Sequence, residues 1–357
     1  MSLVLVRNAD YDSAGSALTG IFQRLDVRIQ GKSVLLKPNF GAAVGPEKSA
    51  ATDARLVKAL LDECLKQTPD VAIGDNPGNL DEGAMHSVRM SGILDLAPDH
   101  YCNISREGEF VDIGSAILPR VFVSRKVREV DFLINVPKMK THVLSGISCC
   151  IKNLFGYVVG AMKSRYHLET GNLKRLTQLW LDLYKWRTPD LHVVDAVVGM
   201  EGGGPTHGKP RKVGKIVAGK NGVEVDAVIT AMMGWDPTKI KMLEMAHQQG
   251  LGEIRLDRID VEGDFEVLPT FERPPTFALE SGFNPYEQIV KIQPLLDEGK
   301  CVLCRLCGDQ SCPASAISFD PWPKVDSAKC IACYCCVEFC PEGALSVPYR
   351  KDLMEVV

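Results

Sequence analysis

The sequence predicts an α/β protein, a largely parallel sheet flanked by helices, followed by a small C-terminal α+β domain. Three observations lead there. Short β-branched runs alternate with amphipathic stretches through residues 1–263. Nine of the thirteen cysteines fall between residues 301 and 340. Between the two regions Pro269, Pro274, Pro275, Pro285 and Pro294 interrupt any periodicity. The expected organisation is an α/β domain at 1–263, a proline-rich connector at 264–296 and a cysteine-rich domain at 297–357.

Residues 33–37 (SVLLK) read as a buried strand closed by Pro38-Asn39. Residues 53–66 read as a helix, with Leu56, Ala59, Leu60 and Leu65 on one side and Thr52 or Asp53 as N-cap. Residues 71–75 (VAIGD) are the next strand, completing a βαβ unit of the kind that builds parallel sheets. Residues 132–136 and 191–196 are further buried strands, and 173–186 and 223–233 are helical.

Composition excludes several classes. The 357 residues are 45% hydrophobic and 24% charged, as in an ordinary globular protein. A net charge of −4 gives no reason to expect nucleic acid. No apolar run reaches the roughly 18 residues a membrane span requires, so no membrane partner is expected. The first residues lack the pattern of a secretory leader. The expected setting is a reducing cytoplasm, that of an anaerobe.

Eight cysteines form two runs, each ending in Cys-Pro: Cys301, Cys304, Cys307 and Cys312-Pro313, then Cys330, Cys333, Cys336 and Cys340-Pro341. Such a doubled run is the ligand pattern of two 4Fe-4S cubanes, with the fourth cysteine of each run ligating the other cluster. Cys301, Cys304, Cys307 and Cys340 would hold cluster 1. Cys312, Cys330, Cys333 and Cys336 would hold cluster 2. Residues 295–350 thus resemble the bacterial two-cluster ferredoxins, except that the first run has four spacers before its last cysteine instead of three. Cys335 is a spare. Zinc also takes four cysteines, but zinc motifs rarely carry two terminal Cys-Pro runs. A disulfide framework suits short secreted chains.

In α/β sheets ligands bind beyond the carboxyl ends of strands. Polar clusters fall there at Lys37-Pro38-Asn39, residues 74–78 (GDNPG), residues 137–142 (PKMKTH) and residues 200–205 (MEGGGP). Lys138, Lys140 and His142 are the candidate catalytic groups. Lys37, Asn39, Asp75, Lys152, Asn153, Asp195, Glu201, Gly203 and Gly204 are the candidate substrate-binding groups. This density of donors suits an anion. The competing reading of 137–142 is a solvated basic loop. Gly203-x4-Gly208-Lys209 mimics a P-loop, but Pro210 stands where magnesium needs Ser or Thr. An ATPase is rejected, leaving a backbone anion cradle or a tight hinge. No Gly-x-Gly-x-x-Gly follows a strand, so flavin or nicotinamide has no local support. Cys149-Cys150 and Cys64 are expected in the core.

Taken together, residues 37–40 (KPNF), 135–142, 151–156 (IKNLFG), 194–196 and 199–205 resemble the family called domain of unknown function 362, over residues 3–255. Members of that family often carry a C-terminal ferredoxin-like unit. The resemblance implies fold and architecture and assigns no reaction. The functional expectation is a ferredoxin-linked oxidoreductase relaying electrons through two 4Fe-4S clusters to an anion site in the α/β domain. A metal or flavin there is left open. The implied partners are an external electron donor or acceptor such as ferredoxin and an anionic small molecule. Two alternatives stand beside it: a non-enzymatic carrier or assembly subunit, and a non-redox isomerase or lyase with structural or sensing clusters.

Overall fold

The computed structural model describes residues 3–41, 45–77, 82–276 and 292–348. A nine-stranded mixed, mostly parallel sheet forms its centre. Its strands run in the order Asp260–Gly263, Leu3–Asn8, Lys209–Gly219, Leu191–Glu201, Phe132–Val136, Val34–Pro38 and Val71–Ile73. Val34–Pro38 pairs in parallel with both Val71–Ile73 and Phe132–Val136, and all five of its residues are buried. Helix Ala54–Leu65 crosses between Val34–Pro38 and Val71–Ile73. Asp53 caps it, accepting the Arg55 N–H at 2.9 Å, while Leu56, Val57, Leu60, Leu61 and Cys64 turn inward.

The sheet carries a core on each face. One packs helices Leu173–Trp186 and Gly222–Met232 against the strands. The other packs Ala14–Arg24 and Ala54–Leu65. Leu191–Glu201 is longer than expected, running five residues past Ala196 before the hairpin to Lys209–Gly219.

Residues 138–142 are a strand, not a solvated loop, and every one of them is buried. Lys138–His142 pairs in parallel with Leu191–Glu201 and antiparallel with Gly146–Ser148. A buried lysine needs oxygen partners to repay its desolvation. Lys138 Nζ finds Asp195 Oδ2 at 2.9 Å, and Lys140 Nζ finds the Ala50 carbonyl at 2.6 Å and Asn39 Oδ1 at 3.0 Å.

Part of the expected connector, residues 277–291 with Pro285, lies outside the described residues, as do Gly78 and residues 349–357. Its first part lies across the α/β body: Leu268 N–H donates to the Met232 carbonyl at 2.7 Å, and the Thr276 hydroxyl donates to the Val143 carbonyl.

The C-terminal segment is small. Leu295–Leu296 pairs with Leu345–Ser346, Ile317–Asp320 pairs with Trp322–Val325, and two four-residue helices span Leu306–Asp309 and Cys335–Glu338. It docks on the sheet domain through Val143 and Leu144, which share a core with Ile292, Tyr334, Val337 and Leu345. The His207 ring adds a contact, its Nε2 lying 3.1 Å from the Val337 carbonyl.

Candidate active site between the sheet and the cysteine-rich segment

The two cysteine runs fold alike. Leu303 and Ala332 precede the second cysteine of their runs, Arg305 and Tyr334 follow it, and all four have positive φ. Each such non-glycine residue costs about 1–3 kcal/mol unless its surroundings enforce it. Ser315 and Gly343, three residues past the fourth cysteines, also have positive φ. Ala316 N–H then donates to Cys312 Sγ and Ala344 N–H to Cys340 Sγ, each at 3.2 Å. The extra spacer in the first run therefore leaves the geometry after Cys312 equivalent to that after Cys340.

Two voids open among these loops. Cys301, Cys304, Cys307 and Cys340 ring one; Cys312, Cys330, Cys333 and Cys336 ring the other. The buried Cys335 lines neither. A single tetrahedral zinc would draw its sulfurs to about 3.8 Å from one another. Among the described residues, the only three metal-binding side chains with ligand atoms all within 4.8 Å are Cys149, Cys150 and Asp226. Both rings are thus wider than one zinc ion requires, which fits a cubane. The Cys149 group is shut in the core, and the Asp226 carboxylate is already engaged by the N–H groups of Cys150 at 2.6 Å and Ile151 at 3.0 Å.

A third cavity, about 100 Å³, lies where the sheet domain meets the cysteine-rich segment. Asn39, Asp75 and Asn76 line it from just past strand ends, Lys140 from within strand Lys138–His142, and Lys152 and Asn153 from the short helix Cys150–Asn153. Lys163 comes from helix Met162–Glu169, and Glu338 and Phe339 close the cavity from the far side. Gly156 is required here: a Cβ would collide with the Asp75 carboxylate and the Lys37 ammonium.

Lysines dominate its electrostatics. Lys37 is fully buried and paired with Asp75 Oδ1 at 2.7 Å; the other Asp75 oxygen accepts the Phe40 N–H at 2.9 Å. Burial lowers the Lys37 pKa. Burial, reinforced by Lys152, brings Lys140 down to about 7. Burial likewise brings Lys163 to about 7, its Nζ donating to the Asn76 carbonyl. Lys152 is lowered by burial and sits over the Trp180 ring, 5.0 Å from its centroid. Asn39 Nδ2 donates to Asn153 Oδ1 at 2.9 Å, and Asn153 Nδ2 to Asn135 Oδ1 at 2.7 Å, so these amides hold one another in place.

His142 stands behind this wall. Its Nδ1 accepts the Leu144 N–H at 3.0 Å, which leaves Nε2 to carry the proton. Nε2 faces Glu338 Oε1 at 3.1 Å. Burial lowers the His142 pKa to about 3, keeping the ring neutral. Burial alone would raise Glu338, but His142 and Lys152 outweigh it and hold the carboxyl at about 2.

The remaining sequence candidates sit elsewhere. Lys138 and Asp195 pair beneath Tyr11, whose hydroxyl lies 3.2 Å from both, and Asp195 also accepts the Asp53 N–H at 2.9 Å. This knot ties the strands to the N-terminal helices and does not line the cavity. Glu201 accepts the Glu272 N–H at 3.1 Å. Gly204 N–H is taken by the Gly202 carbonyl at 2.8 Å, and a Cβ there would strike the Thr141 carbonyl. Close packing explains Gly204, and neither it nor Gly203 lines the cavity. Sequence reasoning missed Lys163, on a helix of polar composition, and Glu338-Phe339, hidden among metal-ligand spacings.

Comparison with known proteins agrees with this architecture. A family model described as domain of unknown function (DUF362) matches residues 34–231, and a 4Fe-4S binding domain model matches residues 323–346. A thylakoid-associated protein of Synechocystis sp. is 32% identical over 263 residues, covering 70% of this chain and 79% of that protein. An uncharacterized protein of Methanocaldococcus jannaschii is 45% identical over 51 residues, 14% of this chain and 19% of that one. Among solved structures, the lactate racemase apoprotein from Thermoanaerobacterium thermosaccharolyticum is similar with a TM-score of 0.43 and 14% identity, over 63% of this chain and 56% of that one. A Thermotoga maritima protein is similar with a TM-score of 0.39 and 11% identity, over 67% and 59%. The chain spans less than two thirds of either solved structure. Among the described residues no helix is long and apolar enough to cross a membrane. With its cysteine-rich segment marking it as an iron–sulfur protein, the chain belongs to the DUF362 family.

Proposed function

We propose that this protein is an oxidoreductase that exchanges electrons with a small anion held in the cavity between sheet and cysteine-rich segment. It would use two 4Fe-4S clusters, one on Cys301, Cys304, Cys307 and Cys340 and one on Cys312, Cys330, Cys333 and Cys336. One observation carries the reading: Glu338 and Phe339, which wall the cavity, follow Cys336 by two and three residues on the same short helix and its end. When bound, the clusters supply single-electron transfer.

The chain's own residues do the rest. Lys140, Lys152 and Lys163 bind and orient the anion as charge-assisted donors. Lys140 Nζ, at about 7, is poised to give or hold a proton near neutrality. His142 does not face the ligand; through Nε2 it positions Glu338 and so the cavity wall. Phe155 and Phe339 add apolar wall that limits water around the anion. An external electron donor such as a ferredoxin would approach the first cysteine set, where Cys304 is exposed beside the surface residues Val302 and Leu303.

The test is anaerobic. Reduced protein is mixed with a panel of small anionic metabolites while the cluster absorbance is followed. Reoxidation by one class of anion, lost in Lys140→Met with cluster absorbance intact, is the expected result. Reoxidation by protein partners alone, with no anion accelerating it, would establish an electron carrier instead.

A further inference from the structure

The proposal that the cavity holds an anion leaves its charge open, and the inventory of charged groups around it narrows it. Four lysines, Lys37, Lys140, Lys152 and Lys163, meet two carboxylates, Asp75 and Glu338. Asp75 is spent on Lys37 at 2.7 Å. Glu338 is turned to His142, which is neutral because its Nδ1 accepts a backbone N–H. Lys140 reaches only neutral oxygens, those of Asn39 and Ala50. Lys163 donates to a carbonyl, and Lys152 lies over an indole face.

Among the described residues, the ammonium groups of Lys140, Lys152 and Lys163 thus converge on one cavity with no carboxylate in hydrogen-bond reach of any of them. Holding three ammonium groups together in a half-enclosed space without a hydrogen-bonded counter-ion is costly. No cysteine lines this cavity, so thiolate charge accepts no hydrogen bond from these ammonium groups. The lining also offers the hydroxyls of Ser148 and Thr206.

From this balance we infer that the resident ligand is a small dianion, one with two negative charges within the span of Lys140, Lys152 and Lys163. A dicarboxylate and a phosphoryl group share that chemistry. The inference rests on the anion reading above and goes beyond it by naming the charge class.

The experiment uses the full chain with its iron sites loaded, at pH 6.5, and measures binding by calorimetry for two matched pairs. Malonate is compared with propionate, and sulfate with methanesulfonate. The second charge should tighten binding by at least about tenfold in one pair, given the modest effective dielectric of such a site. The pair that responds distinguishes a dicarboxylate from a phosphoryl-type ligand. Lys152→Met and Lys163→Met should each abolish most of that preference. Neither should lower the midpoint of thermal unfolding of the ligand-free chain, since the ammonium removed has no hydrogen-bonded carboxylate; this readout guards against variants that simply misfold. If monoanions and dianions bind equally, the dianion inference is overturned and the anion site stands. If none of the four binds and the Met variants are destabilised, the anion site itself is overturned.

Discussion

His142 Nε2 and Glu338 Oε1 face each other at 3.1 Å, the one at the end of strand Lys138–His142, the other two residues beyond Cys336. The pair fastens the cysteine-rich segment to the sheet at the edge of the cavity. Replacing Glu338 by Leu removes the carboxylate that faces the buried imidazole and should weaken this seam by about 0.5–1.5 kcal/mol. Glu338→Gln keeps an oxygen in reach and should cost less. Chemical denaturation followed separately by cluster absorbance and by far-UV circular dichroism checks this. The Leu variant should lose the cluster signal at lower denaturant than the sheet signal. Coincident transitions at the wild-type midpoint would contradict the fastening role.

The crossed arrangement of the cysteines predicts an unusual grouping of variants. Cys340→Ser should share the defect of Cys301→Ser, although the two lie in different runs, and Cys312→Ser should share that of Cys330→Ser. Electron paramagnetic resonance of the reduced variants, with iron analysis, reads this directly. Each variant should lose one of two signals and about half of the iron. Defects grouped by run, 301 with 312 and 330 with 340, would refute the crossing.

Acidity should act on stability and on binding in opposite senses. Folded Lys140 and Lys163 give up their protons near pH 7, whereas in the unfolded chain lysine holds its proton to about 10.4. Between those values the unfolded state binds more protons, so stability rises with pH through that window and is lowest below pH 7. Lys37 and Lys152, also lowered, add in the same direction. His142, at about 3, and Glu338, at about 2, do not titrate there. Anion binding should weaken from pH 6 to pH 8 as the ammonium groups are lost. Urea titrations and calorimetry at three pH values across this range test both trends; a flat binding profile would rule out Lys140 and Lys163 as anion donors.

Lys138 and Lys152 should separate structure from binding. Lys138→Ala leaves Asp195 buried beside Tyr11 without its cation, and breaking a buried pair this way costs about 3–5 kcal/mol. Lys152→Ala should leave the fold nearly intact and weaken anion binding. Thermal melts with and without malonate compare the two. A Lys138 variant with wild-type stability would return that lysine to the catalytic candidates.

The fold was legible where periodicity was strong. Helices 53–66 and 173–186 and strands 33–37 and 132–136 stand within a residue or two of their expected bounds. For residues 137–142 the solvated loop stood open as the competing reading, because two lysines and a histidine in a short span look solvent-bound. Only tertiary partners distant in sequence, Asn39, Ala50 and Asp195, make such a strand buriable. The site was legible in part for the same reason. Lys37, Asn39, Asp75, Lys140, Lys152 and Asn153 end or follow strands, a position the topology of parallel sheets singles out. Lys163 and Glu338 belong to no strand end, and their place in the cavity depends on how two separately recognisable units pack together.

Because Glu338 and Phe339 belong to the segment that also bears Cys336, the enclosure around the lysines is assembled from both ends of the polypeptide. A shortened chain ending before Asp297 would not be a simpler version of this protein. Its ammonium groups would look out on bulk water, regain ordinary basicity and bind salts weakly and without selectivity. Any gene that supplies the sheet portion alone should therefore be expected to have found another cover for it, or another occupation.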